Sequence, residues 1–175
     1  FVGGQIGMLG VLQTWKRDMG YHIHGHFIVP GGGITPDDGK LRWLPSLQQD
    51  YLVPEKAVAK LLRAKFRDAL KKHPHVFAQA PPKVWRKDWV VNIKAVGKGE
   101  SALKYLAPYI FRIAISNNRI EKFEDGKVTF RYKHSKTRKF HIKTVSAVEF
   151  IWLILQHVLP RGFRRARNYG FLNPN

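Results

Sequence analysis

Three histidines fall at every second position in Tyr21-His22-Ile23-His24-Gly25-His26-Phe27-Ile28-Val29, just ahead of a run of aromatic and branched apolar residues. A strand rises about 3.3 Å per residue and sends successive side chains to opposite faces, so the histidines share one face with neighbours about 6.6 Å apart. Two imidazoles at that spacing suit one shared metal ion, and a strand is a rigid platform for an ion that must hold an oxygen ligand at its open positions. The same alternation also serves a polar strand face whose histidines meet solvent or backbone partners.

At 175 residues the chain fits one domain able to bury a proper core. With 44% apolar and 13% aromatic residues it reads as a compact globule rather than a disordered tail. Charge is the stronger constraint. Thirty-one Lys and Arg against twelve Asp and Glu give a net charge of +19 and a pI near 10.4, a field that favours a polyanion, with nucleic acid fitting best. An anionic membrane surface is the alternative on charge alone, but no apolar run reaches membrane-spanning length. The absence of cysteine excludes disulfides and thiolate zinc sites within these residues. The chain opens on Phe1 without a secretory pattern, so the expectation is an internal piece of a longer protein.

Residues from about Gly10 to Trp15 read as a strand, and Lys16 to Gly20 as the turn into the histidine strand, which gives an antiparallel pair. Gln13 either completes a metal shell from that pair or makes a cross-strand hydrogen bond. After Pro30 the glycines 31–33 open a loop, with Asp37-Asp38-Gly39-Lys40 as a hairpin turn before Leu41-Arg42-Trp43. They lack the Gly-Lys-Ser/Thr ending of a phosphate loop. Pro54 opens a helix with an apolar stripe through Val58, Leu61, Leu62, Phe66, Ala69 and Leu70. Its other face carries Lys56, Lys60, Arg63, Arg67 and Lys71, either solvated or set against a nucleic-acid backbone. Residues 73–88 read as a loop, 89–94 as a further strand, and Gly97-Lys98-Gly99 as a break.

Residues 101–112 form the next predicted helix. Tyr105, Tyr109 and Arg112 fall four and three apart and so line one face, while Pro108 removes a backbone donor and predicts a kink. Tyrosines at this spacing also serve as half-buried packing residues. A phenol, with its pKa near 10, is a poor nucleophile at neutral pH, so attack on phosphorus requires a nearby cation or base and a metal that polarises the phosphoryl oxygen. The chain holds residues for each part.

In these pieces the chain resembles the catalytic domain of HUH-type, two-tyrosine rolling-circle transposases of insertion sequence family 91. The matching stretches are Leu12-Gln13-Thr14, His22-Ile23-His24-Gly25-His26 with Val29-Pro30-Gly31-Gly32, Asp88-Trp89-Val90-Val91 with Lys94, Leu103-Lys104-Tyr105-Leu106-Ala107 with Tyr109, 112–117, Glu149-Phe150-Ile151, 157–163 and 167–172. They come in family order and cover nearly the whole chain. The resemblance implies an α+β fold, an antiparallel sheet covered by helices in a single domain, with His24 and His26 as metal ligands and Tyr105 and Tyr109 as paired nucleophiles. The position between the ligand histidines is usually bulky. Gly25 leaves the opposite face under-packed and keeps His22 with His24 as a competing pair, although Pro30-Gly31-Gly32 follows His24 and His26 at the family's distance. The third ligand is either Gln13 or His22. The implied reaction is Mg²⁺- or Mn²⁺-assisted transesterification on single-stranded DNA of transposon ends and target, through a 5′-phosphotyrosine, serving rolling-circle transposition in the bacterial cytoplasm. Family members generally carry an N-terminal cysteine-rich zinc module as well.

The last part is basic. A hairpin is expected over 120–132 about Glu124-Asp125-Gly126, then a charge cluster from Lys133 to Lys139, and a capping box Ser146-Ala147-Val148-Glu149 opening an apolar helix. Arg161, Arg164, Arg165 and Arg167 follow, interleaved with Phe163, Tyr169 and Phe171, the mixture that single-strand binding uses. Residues 133–175 are therefore expected to contact DNA, together with Lys104 and Arg112. The rival readings are a catalytically inactive nucleic-acid-binding module of the same fold and a metal-binding structural protein.

Overall fold

The computed structural model describes residues 2–48, 50–97, 99–111 and 113–174, apart from the side chains of Pro108 and Phe111. In chain order the strands are β1 (Gly7–Trp15), β2 (Tyr21–Ile28), β3 (Gly32–Asp37), β4 (Lys40–Pro45), β5 (Ile120–Glu124), β6 (Lys127–Lys133), β7 (Phe140–Ser146) and β8 (Ala166–Gly170). The helices are α1 (Glu55–Lys71), α2 (Pro74–Phe77), α3 (Glu100–Phe111) and α4 (Ala147–Leu155). The class is α+β with antiparallel pairing throughout, but the strands form three sheets rather than one, ordered β2-β1-β8, β3-β4 and β5-β6-β7. They fall in two compact units, one of Gly7–Pro30 with Gly97–Asn175, the other of Phe1–Ile6 with Gly31–Val96. Among the described residues no helix is long and apolar enough to cross a membrane.

The unit containing β1 and β2 carries the candidate-site histidines of β2 and tyrosines of α3. β1, flanked on both sides, is buried along most of its length. The histidine strand β2 lies at the edge of its sheet, and β1 lies at the centre. The centre belongs to β1 because the C-terminal stretch, expected only as an arginine-aromatic DNA contact, contributes β8 to the far side of β1.

The turn from β1 to β2 is closed by the Lys16 N–H donating to the Gly20 carbonyl at 2.9 Å, and it holds Met19 at φ 65° with no exposed surface. A left-handed non-glycine residue costs roughly 1–2 kcal/mol, whereas full burial of a methionine side chain contributes about 1.5–3 kcal/mol, so burial decides the conformation. Met19 packs with Val128, Phe130, Val145 and Phe150, which ties the β1–β2 turn to the β5-β6-β7 sheet and to α4. α4 starts as its capping box predicts, with the Ser146 hydroxyl accepting from the Glu149 N–H at 3.1 Å. The β5–β6 loop is the two-residue Asp125-Gly126 turn, both residues at positive φ.

His157, just beyond α4, is buried and uses both ring nitrogens. Nε2–H donates to the Met19 carbonyl at 3.0 Å, so Nδ1 accepts from the Thr14 hydroxyl at 3.1 Å.

In the second unit the predicted strand over 89–94 does not form. The segment is instead tied to α1, with the Ile93 N–H donating to the Glu55 carboxylate at 2.5 Å and Trp89 packing on Phe66 at 5.4 Å. The glycine loop after Pro30, by contrast, is strand β3. A Cβ at Gly32 would sit 2.4 Å from both the Leu44 carbonyl oxygen and the Trp43 ring, so glycine is what lets β4 approach.

His157→Ala leaves the Thr14 hydroxyl and the Met19 carbonyl without their buried partner and should lower unfolding stability by about 2–4 kcal/mol in a denaturant titration. A loss below about 1 kcal/mol would contradict the clamp.

Candidate active site

β1 and β2 pair with Gln13 opposite His24 and Val11 opposite His26, so these four side chains share one face of the sheet. Neighbouring rings stand 5.1 Å apart for His22 and His24 and 5.0 Å apart for His24 and His26. His24 Nδ1 lies 2.9 Å from the His22 carbonyl oxygen, which can only accept, so Nδ1 carries the proton and Nε2 keeps its lone pair. A metal-ligating histidine is commonly oriented by this kind of backbone contact.

Helix α3 covers this face. It runs without interruption through Pro108, buries Leu106, and lays the Tyr109 ring on the His26 ring with centroids 3.8 Å apart and planes 26° apart. Gln13, 3% exposed, donates its amide N–H to the Tyr109 carbonyl at 3.1 Å. The imidazoles and phenols, some eighty positions apart in sequence, thus meet on one side of one sheet. Tyr105 stands one turn back, its ring 5.5 Å from that of Tyr109, and remains 43% exposed. Its phenol is pushed above the usual tyrosine value by partial burial, then by the charge of Tyr109 when ionised and by their hydrogen bond.

The donor set fits a divalent cation. Among the described residues no three His, Asp or Glu side chains gather to hold a metal, but that set leaves out the Gln13 carboxamide. With its N–H spent on Tyr109, the Gln13 oxygen is left as an acceptor beside His24. Two imidazoles and one neutral oxygen would leave coordination positions open for substrate. His22 is the more peripheral of the two expected third ligands, since its side chain is exposed and a bulge interrupts the register between Gln13 and Trp15.

The face opposite the two histidines, which Gly25 shares with Ile23 and Phe27, is largely exposed, with Phe27 as the ring over the glycine. A Cβ on Gly25 would meet the Phe27 ring at 2.8 Å, and one on Gly10 would meet it at 2.5 Å, so Phe27 lies across both glycines.

The expected DNA-contacting residues divide. Arg161 and Arg164 are exposed, and Lys104 is exposed while paired with Glu100 at 2.7 Å. Arg167 lies over Phe163 at 5.0 Å and donates to the Arg164 carbonyl. Arg165 turns inward, its guanidinium 5.7 Å from the Trp15 ring and donating to the Ile110 carbonyl at 3.4 Å, and so brackets α3. Arg112 lies outside the described residues. The bracketing by Arg165 and the clamp of His157 were not anticipated, and no local sequence signal marks either one.

A family model described as "Putative transposase" matches residues 7–175. The "Putative transposase y4qJ" of Sinorhizobium fredii is 36% identical over 192 aligned residues, covering 98% of this chain and 47% of that protein. The "Transposase for insertion sequence element IS801" of Pseudomonas savastanoi pv. phaseolicola is 24% identical over 188, covering 97% of this chain and 44% of its own length. The chain spans about half the length of the curated relatives it matches. No solved structure matches it.

The raised Tyr105 phenol has a consequence for alkaline stability. The folded chain holds that proton more tightly than the unfolded one, so the contribution is complete below the ordinary phenol pKa near 10 and is lost as pH rises through the elevated value. Tyr105→Phe should delete the most alkaline step from the phenolate absorbance titration and flatten the decline of stability at high pH. Disappearance of an earlier step instead would overturn the assignment.

Proposed function

We propose, from the chain's membership of this putative-transposase family, that its β2–α3 site nicks and rejoins single-stranded DNA by tyrosine transesterification, the chemistry of rolling-circle transposition. One observation carries the reading: Tyr109 is stacked on His26 and anchored through its carbonyl to Gln13. A nucleophile and the residues suited to a cation are thereby held together before any substrate arrives.

His24 and His26, with the Gln13 carboxamide oxygen, would hold Mg²⁺ or Mn²⁺. Such an ion, when bound, neutralises charge on a non-bridging phosphoryl oxygen and orients the scissile group. Imidazole donors bind Mn²⁺ more tightly than Mg²⁺, so cellular abundance decides between them.

The Tyr109 oxygen attacks phosphorus. A phosphorus–phenol oxygen bond forms, the bond to the 3′ oxygen breaks, and the phenol proton ends on the departing strand as a 3′-hydroxyl. The product is a 5′-phosphotyrosine, which conserves the ester for rejoining when a 3′-hydroxyl attacks in return. Tyr109 is assigned the first cleavage because it is the phenol in contact with the histidines. Tyr105, more exposed and one turn back from the histidines, is assigned the second transfer.

The test is covalent capture of labelled single-stranded oligonucleotides with Mn²⁺ on a denaturing gel. Tyr109→Phe should abolish the first adduct, Tyr105→Phe should retain it, and Gln13→Ala should slow it about 100-fold through misplacement of Tyr109. An adduct that survives Tyr109→Phe would overturn the assignment. DNA binding with no adduct under any condition would favour the inactive binding module.

A further inference from the structure

The unit that lacks the β2 histidines and the α3 tyrosines has a second feature. Lys60, Arg63, Ala64 and Arg67 succeed one another at helical spacing along α1, and with Trp85 they line a cavity of about 200 Å³. That is several times the roughly 30 Å³ that a water molecule occupies in the liquid. The tryptophan wall is fixed by an aromatic stack, with Phe77 at 5.8 Å on one side and Trp89 at 6.3 Å on the other. Trp89 in turn donates its indole N–H to the Val84 carbonyl at 3.2 Å. Arg63 is positioned by donating to the Lys87 carbonyl, which occupies only part of a guanidinium's five N–H donors.

The charge around this cavity is not balanced. Residues 55–94 contain eleven Lys and Arg against three Asp and Glu. The carboxylate beside it, Asp68, is shared between Arg67 at 3.7 Å and Lys71 at 3.5 Å, and one carboxylate cannot neutralise two cations.

We propose that this cavity seats a phosphodiester of the DNA strand, making α1 a backbone-binding element apart from the nicking site. The proposal rests on the reading above only for the identity of the polyanion. A polymer is favoured over a small anion because exposed cations hold a single phosphate weakly, whereas successive phosphates release condensed counterions along the basic strip. The seat reads no base, so it supplies affinity and register without sequence preference.

The experiment is a salt titration of the 175-residue chain binding to a fluorescein-labelled oligothymidylate, followed by anisotropy. Lys60→Gln/Arg67→Gln should weaken binding and reduce the slope of log K against log salt by about 0.7, the share of one phosphate on a single strand. Arg63 is left intact because it also braces the chain. The control is Lys65→Gln/Lys72→Gln, which removes the same charge from the opposite side of α1 and should keep a near-parental slope. Both variants are checked for an unchanged thermal midpoint. Equal slope loss in the control, or none in the test variant, overturns the proposal. Tyr109→Phe, run in parallel, should lose the covalent adduct and keep the slope. A parent that forms no adduct yet shows the Lys60/Arg67-dependent slope overturns the nicking reading alone.

Discussion

The hydrogen bond from the Gln13 side chain to the Tyr109 carbonyl joins the middle strand of the sheet to the helix above it. Gln13 is almost wholly buried on a strand flanked on both sides, so its position is set by the sheet and not by the helix. Each intramolecular hydrogen bond contributes only about 1 kcal/mol net, but a buried amide left without its partner costs about 1–3 kcal/mol. Three contacts converge on the C-terminal half of α3: Gln13 to Tyr109, the His26 ring on Tyr109, and Arg165 to Ile110. At the other end Lys104 and Glu100 pair in solvent. The helix is therefore pinned at the tyrosine nearer the histidines and comparatively open at the other, an asymmetry that distinguishes two residues of identical chemistry.

The same sheet is fastened from its other side. The β1–β2 turn drives Met19 into the core formed by β6, β7 and α4, and His157 grips both the turn and Thr14. Register between β1 and β2 is thus anchored beside the bulge that separates His24 from Tyr21, and slippage there would carry the histidines to the wrong face. The bulge also twists what is otherwise an edge strand, a known means of discouraging unwanted strand pairing.

Local signals read well from the sequence. The alternating histidines, the Ser146–Glu149 capping box, the Asp-Gly turns and the Tyr105–Tyr109 face all depend on residues within a few positions of one another, where strand and helix periods apply directly. What escaped depends on distant partners. β8 follows an arginine-rich stretch, and its strand character comes from β1, some 160 positions earlier in the chain. Trp89 to Lys94 has strand composition but lies along α1 instead, and Gly32-Gly33 looks like loop composition until Trp43 and Leu44 are seen against it. Of the site itself, residue types and spacing gave the histidines and tyrosines, and Gln13 was named for its chemistry. The inward turn of Arg165 was illegible because neither a ring beneath a guanidinium nor a carbonyl at the end of another helix leaves a mark in its neighbouring residues.

The pairing of β8 with β1 also orders events during synthesis. β1 and β2 leave the ribosome early, yet β1 has only one neighbour until residues 166–170 follow, and the arginine that brackets α3 comes just before them. Contacts of such long sequence separation form late and slowly. A nascent chain paused before that point would hold its phenols and imidazoles on an unfinished scaffold, so the timing of translation itself sets when this face of the sheet is complete.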